Sequence, residues 1–466
     1  MGLCGCTDEI PGTIQPDRIS DVEIPMRNTE DAATIEEIFN VANRNDVENP
    51  SRAQCNNFTV ESVNDSYGEP ALYIVNYGQD EGWAVISASK NIEPILAFSD
   101  EGYFDIDSTR SIIGLGRWIE GALHSVAHSS EQHADTIAKN RKMWLPFSSK
   151  DITESRSLGT LEESHRDTYG EILDYVSQNE LDELNRIAHD SLHSWMNKGW
   201  RVEVYSWDLF EEDMALYDEL TGGAMYYRYV PNICDFTFRI TREVNKTERN
   251  LAVKTIWEQE NGYNQSFPPS QTGIKSHAYV GCGPLAIGQI MKYHKFPSSI
   301  NWNLMPDKYA TKETSDFLLD VANQSNADFQ DAQTSITAAG AQQAFRHYGY
   351  VVDRDYCILG AGKPQNFPSY YCCTLKRANV VVGGHAWLSG GTGSDRQEVY
   401  DEIYTFVAPK TLNRWRSRMI SSSRVNYEYM IWGWNASLNG YYITNHINPP
   451  GYEIEGKIYY LNVAKP

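Results

Sequence analysis

No stretch of the chain runs to 18 or more apolar residues, so nothing in the sequence reads as a helix that crosses a membrane. Basic residues are short: 40 Lys and Arg stand against 62 Asp and Glu in 466 residues, a formal charge of −22. Phosphates would be repelled, which argues against a nucleic acid partner and against an anionic membrane surface. Cysteine is scarce. The eight, Cys4, Cys6, Cys55, Cys234, Cys282, Cys357, Cys372 and Cys373, are irregularly spread. Neither Cys4-x-Cys6 nor Cys372-Cys373 has the paired spacing of a zinc site with a His to complete it. A disulfide framework is not expected in a chain of this size. His189 and His193 could share a helix face, but Asp190 follows where a zinc-peptidase motif needs Glu. No metal or organic cofactor is implied.

What is present is a globular composition, 41% hydrophobic and 12% aromatic, in a chain long enough for two or three domains. The most informative stretch is Tyr279-Val280-Gly281-Cys282-Gly283-Pro284-Leu285-Ala286-Ile287-Gly288-Gln289-Ile290-Met291-Lys292-Tyr293-His294. Its apolar residues are too many for a surface helix, Pro284 sits where a first-turn proline is tolerated, and Phe296-Pro297 ends the run. Cys282 therefore falls at the start of a buried helix. Free N–H groups and the helix dipole favour a thiolate there. A lone cysteine before an apolar helix is also what a small buried residue looks like. Downstream segments change that balance. Val380 to Leu388 reads as a core strand carrying His385 beside Gly383-Gly384, and Tyr429-Met430-Ile431-Trp432-Gly433-Trp434 precedes Asn439-Gly440-Tyr441-Tyr442.

These segments, with Trp257-Glu258-Gln259 and Tyr263-Asn264 ahead of the cysteine, make five ordered motifs over about 190 residues. Cysteine first, histidine about a hundred residues on, then a Trp-rich strand is the order of papain-like thiol peptidases. The wording resembles the streptopain family of bacterial cysteine peptidases. That resemblance implies an α+β fold, with a papain-like catalytic domain in which a helical half carries the cysteine and a strand-rich half the histidine. It implies that Cys282 is the nucleophile, His385 its base and acid, Gln259 an oxyanion donor beside the Cys282 N–H, and Trp432 a cover for the imidazole. His294 and His347 are rival bases. One departure matters. The family carries Asn-Trp-Gly-Trp-Gly, and this chain has Ile431-Trp432-Gly433-Trp434-Asn435. The Asn that orients the imidazole is absent, leaving a backbone carbonyl or Asn435 to accept the ring N–H.

Residues 1–32 read as a polar tail. Leu3-Cys4-Gly5-Cys6 resembles the end of a bacterial lipoprotein box, so a lipid anchor stands beside a coincidental match. The first residues do not read as a signal peptide, and one is expected to have been removed. A small α+β prodomain is expected over 33–145. It has a helix at Thr34–Ala42, paired strands at Leu72–Tyr77 and Gly82–Ser87, a further strand at Ile95–Ser99 and a helix from Gly114. The strand order and Ile95-Leu96-Ala97-Phe98-Ser99-Asp100 resemble the streptopain propeptide. Residues 146–249 are expected to be an acidic helical insertion and activation linker, with 18 acidic and five basic residues in 151–220. Glu243–Asn250 reads as an exposed link, which places maturation cleavage within 240–252. The catalytic domain spans 250–466, with a helix over Ser335–Tyr348.

The resulting expectation is a secreted or surface-attached cysteine endopeptidase, made as a zymogen and inhibited by its own prodomain, acting on polypeptides through a Cys-His dyad. The alternatives are a catalytically silent, peptide-binding relative and a thiol amidase or acyltransferase on cell-wall peptides.

Overall fold

Helix α1 (Ile35–Arg44) starts where the sequence dictates. The Thr34 hydroxyl accepts from the Glu37 N–H at 3.1 Å, and the Glu37 carboxylate accepts from the Thr34 N–H at 2.8 Å. This reciprocal cap satisfies two N–H groups that the first turn leaves open. Burial alone would raise the Glu37 pKa, but the Thr34 and Ser148 hydrogen bonds and the Lys90 charge lower it below the ordinary range. The structure is a computed structural model that describes residues 3–5, 30–44, 58–144, 147–148, 190, 194, 201–205, 237–270, 273, 275–330, 333–357, 368–377, 380–407, 411–434, 436–443 and 458–466.

The chain divides into two units. The first comprises Met1–Ser148, Glu248–Ser394 and Val425–Pro466, and the second Ser149–Thr247 and Asp395–Arg424. In the first unit, β1 (Leu3–Gly5) precedes α1, so part of the expected tail is a strand. After α1 come β2 (Phe58–Asn64), β3 (Pro70–Tyr77), β4 (Trp83–Ser87) and β5 (Ile95–Ser99). They form an antiparallel meander with Val75 opposite Ala84 and Val85 opposite Ala97. Helices α2 (Ile106–Ser111), α3 (Ile113–Ala127) and α4 (Ala134–Trp144) follow. The expected hairpin, strand and helix of this region are all present, and β2 adds a strand with a mostly exposed, polar-interrupted pattern.

The remainder of the first unit is built on α5 (Cys282–His294), buried from Cys282 to Met291 and closed by Lys295 in the left-handed region at φ 48. Helix α6 (Lys312–Gln324) is capped by Thr311, and α7 (Ala338–His347) by Thr337. Ser335 to Thr337, expected to open that last helix, belong instead to β9 (Gln333–Thr337), which lies between β1 and β8 (Asp328–Gln330) in a small sheet. The larger sheet uses β10 (Val351–Cys357), β11 (Ser369–Arg377), β12 (Val380–Val407), β13 (Thr411–Ile431), β14 (Gly440–Ile443) and β15 (Ile458–Ala464). Its strand order is β10-β15-β11-β12-β13-β14-β5-β4-β3-β2. Strand β14 pairs with β5, Tyr441 opposite Phe98, so the N-terminal meander extends the C-terminal sheet. This is a mixed α+β fold, as expected.

The two-residue side-chain period of a strand explains why β11 and β12 read as almost continuously apolar. Tyr371, Cys373 and Trp387 enter one core together with Trp118, Trp432 and residues of the N-terminal meander. Tyr370, Cys372, Ala386 and Leu388 enter the other, with Leu285 and Ile290 of α5. The sheet is thus buried on both faces at the point where the histidine strand meets the cysteine helix.

In the second unit, β6 (Arg201–Tyr205) pairs antiparallel with the start of β7 (Thr237–Leu251), Val202 opposite Ile240. The buried Glu398 accepts from Lys246 at 3.0 Å and from Tyr400 at 2.9 Å. The segment Glu243–Asn250, expected as an exposed link, is strand. Most of the acidic insertion expected over 146–249 lies outside the described residues. Among the described residues, no helix is long and apolar enough to cross a membrane, and no group of His, Cys, Asp or Glu is arranged to hold a metal.

Candidate active site

Gly281 adopts φ 87, and a Cβ there would meet the Thr334 carbonyl oxygen at 2.5 Å, so only glycine fits before the helix. That tight turn starts α5 at Cys282, as the sequence predicts. The Cys282 sulfur accepts from the backbone N–H of Ala386 at 3.3 Å, so it lies against the strand that carries His385. Cys282 is disulfide-bonded in this structure, while Cys372 and Cys373 carry thiols. This corrects the expectation of a free thiolate: the candidate nucleophile is chemically capped here.

His385 is fully buried on β12, opposite Cys373 of β11. Its ring stacks with Trp387 at 6.1 Å and with Trp432 at 6.4 Å. Burial lowers its pKa to about 3, and a hydrogen bond to the Trp432 backbone opposes the shift. A bond that raises a histidine pKa runs from a ring N–H to a carbonyl, because a carbonyl favours the protonated ring. Of the two replacements for the missing Asn, the backbone carbonyl is therefore the one observed; Asn435 lies outside the described residues. The Trp432 N–H in turn donates to Asn439 Oδ1 at 3.1 Å. Ile431 packs away from the imidazole, in the core that holds Leu388 and Val253.

Gln259 is buried, and its carbonyl accepts from the Val280 N–H at 3.1 Å, two residues before Cys282. The Gln289 amide of α5 donates to the Thr255 carbonyl at 3.1 Å, which ties the helix to the same segment. The flanking Trp257 donates to the Pro306 carbonyl at 2.7 Å and packs on Tyr263. The structure thus joins Gln259 to the Cys282 turn, sets Cys282 on the His385 strand, and brings Trp432 onto the imidazole. The rival bases fall elsewhere. His294 ends α5, about 18 Å along the helix from Cys282, and stacks on Tyr350. His347 ends α7 beside Tyr348.

Two participants escaped the sequence reading. A Cβ on Gly114 of α3 would meet His385 Cδ2 at 2.5 Å and Trp432 Cζ3 at 3.1 Å, so this helix packs directly on the imidazole and its cover. Asn439 was visible only as part of a motif. The signal for Gly114 was a glycine in the first turn of a helix, where it weakens the helix unless something must come close.

Comparison with known proteins accords with this geometry. Residues 257–442, which contain Gln259, Cys282, His385 and Trp432, match the model of the Peptidase C10 family. Residues 28–122 match that of the Spi protease inhibitor. No curated protein matches the chain. Among solved structures, the chain is similar to a mutant fragment of prointerpain A from Prevotella intermedia. The two are 12% identical, 88% of this chain and 100% of that chain are covered, and the TM-score is 0.41. Residues 257–442 thus match the streptopain (Peptidase C10) family of peptidases, and a protease-inhibitor-like propeptide domain lies ahead of them.

Proposed function

We propose that this protease zymogen is a cysteine endopeptidase that cleaves polypeptides through Cys282 and His385. The observation that carries the reading is the contact of the Cys282 sulfur with the Ala386 N–H, which sets a helix-start cysteine on the histidine's own strand. Once reduced, the Cys282 thiol gives its proton to His385, and the thiolate attacks the substrate carbonyl. The carbonyl π electrons move to oxygen, where the Cys282 N–H and the Gln259 side chain stabilise the negative charge. As the C–N bond breaks, the imidazolium protonates the leaving amine. Water then attacks the thioester, His385 takes its proton, and the released thiol restores the enzyme. Trp432 and Trp387 exclude water from the imidazole, which strengthens the ion pair.

The form described is latent in two ways. Cys282 is held in a disulfide, and His385 is neutral because α3 and two indoles bury it. The packing of α3 on His385 supports a prodomain that inhibits in cis.

A thiol-alkylating epoxide tests the assignment. After reduction and nicking, it is expected to label Cys282 faster than Cys372 and Cys373, by mass spectrometry of the digested protein. Equal labelling of all three thiols would overturn it.

A further inference from the structure

We infer that Asn439 is the positioning residue that holds His385 in its working orientation, acting through the backbone of Trp432. The inference deepens the proposed function and rests on His385 as its acid and base.

The imidazole is held by a main-chain carbonyl, and such a hold is only as firm as the peptide that carries it. That peptide sits in a vulnerable place. Strand β13 ends at Ile431, so Trp432 lies just past its last residue, and Gly433 follows at φ 80, a conformation open to a swing of the chain. Asn439 fills the gap, its Oδ1 accepting from the Trp432 N–H at 3.1 Å. In the register, Met430 faces Gly440, so Asn439 stands immediately before β14, where the β13–β14 pairing stops. The side chain continues the pairing by one hydrogen bond beyond its backbone limit.

Asn439 is itself fixed. It is buried, with 4% of its surface exposed, and its N–H donates to the Ala436 carbonyl at 3.0 Å. The neighbouring Gly440 leaves no slack, because a Cβ there would meet the Phe98 carbonyl oxygen at 2.6 Å and Trp83 at 2.9 Å. Position 431 cannot take this role, since Ile431 packs into the opposite core. Orientation of the imidazole has thus passed from a side chain next to Trp432 to one seven residues on, acting through the Trp432 main chain: Asn439 anchors its N–H, and its carbonyl, in the following peptide, holds the ring.

The test uses full-length protein, reduced and nicked with trypsin. Asn439→Leu keeps the size and removes the acceptor; Asn439→Asp keeps an acceptor oxygen. Partners that orient a metal-bound imidazole are typically worth about tenfold to a hundredfold in activity, and the same scale is expected here. Asn439→Leu is expected to lower kcat on a peptide substrate by that factor with KM within about twofold. It should also move the alkaline limb of the pH–rate profile to lower pH, because the carbonyl that favours the imidazolium is no longer held. Asn439→Asp is expected to recover most of kcat and the original profile. A folded Asn439→Leu with the parent's kcat and pH profile would overturn the inference, as would an Asn439→Asp as impaired as the Leu variant. If Leu is not tolerated, Asn439→Ala takes its place. A second readout does not depend on turnover. In a Cys282→Ala background, NMR titration of the His385 ring should give a lower pKa with Asn439→Leu and no change with Asn439→Asp. If the parent hydrolyses nothing, the peptidase reading fails, and the ring titration still decides the role of Asn439.

Discussion

His385 is neutral in the latent form because it is buried, and the same imidazole must be charged in a working thiolate–imidazolium pair. Its folded pKa of about 3 lies below the ordinary value of 6.5. Between these two values the unfolded chain binds a proton that the folded chain does not. Stability from this group is therefore complete above about pH 6.5 and is lost as pH falls towards 3. His294, lowered to about 4 by burial and then by Lys465, and His124, lowered by burial and by His128, act in the same direction. The Tm of the full-length protein is expected to fall between pH 7 and pH 5, and to fall less in His385→Gln. Equal falls in the two proteins would show that the imidazole is not buried neutral. At this scale the sequence was informative for Cys282, His385, Gln259 and Trp432, whose residue types and order underlie the proposed chemistry and which the structure places close together. It offered a backbone carbonyl as an acceptor for His385 but not whose, because any residue can supply a backbone oxygen. Nor did it disclose the disulfide at Cys282, since the spacing of eight scattered cysteines does not reveal a pairing.

At the scale of elements, α3 is the piece of the prodomain that touches the candidate chemistry. Its Gly114 has no room for a side chain against His385 and Trp432. Backbone and stacked rings cannot yield as a flexible side chain would, so Gly114→Val is expected to push α3 off the imidazole. Reduced but unnicked Gly114→Val should then be labelled at Cys282 by the epoxide at least about tenfold faster than the unsubstituted protein, the effect of about 1.4 kcal/mol lost from the latent state. A rate equal to that protein's would contradict the contact. Elements with strong periodicity were legible. Helix α5 announced itself by apolar residues and a first-turn proline, and the β3–β4 hairpin by apolar runs around a polar turn. Strand β12 is legible over Val380 to Leu388 but not as the single strand that runs on to Val407, because Gly390-Gly391 and the acidic Asp395 to Glu402 interrupt its apolar pattern. Helix α6 was overlooked because its polar first turn precedes an apolar face of only Phe317, Leu318, Val321 and Ala322. The link to the enzyme reads as exposed on its charge, and it is strand, since backbone pairing tolerates exposed charged side chains.

At the scale of the whole chain, the prodomain region is joined to the peptidase region by shared structure. Strand β5 extends the sheet at β14, Trp118 donates to the Ile443 carbonyl at 2.8 Å, and Trp83 to the Ser437 carbonyl at 2.8 Å. Arg249 lies 4.6 Å over the Phe98 ring and 5.4 Å over that of Tyr441, so the end of β7 is clasped between residues from both regions. Each cation–π contact of this kind is worth about 0.5–2 kcal/mol, which makes the latent state a sum of modest holds that one cut can release. Cleavage within 240–252 would have to lift this strand first. The central claim is that a latent Cys282–His385 peptidase is released by reduction and cleavage. Its most direct test is hydrolysis of denatured casein by reduced full-length protein, by the same protein nicked with trypsin, and by nicked Cys282→Ala. Hydrolysis that appears only after nicking, and disappears with the substitution and with the epoxide, is the predicted result. Equal hydrolysis by nicked protein with and without Cys282, or none from nicked, reduced protein, would contradict the account.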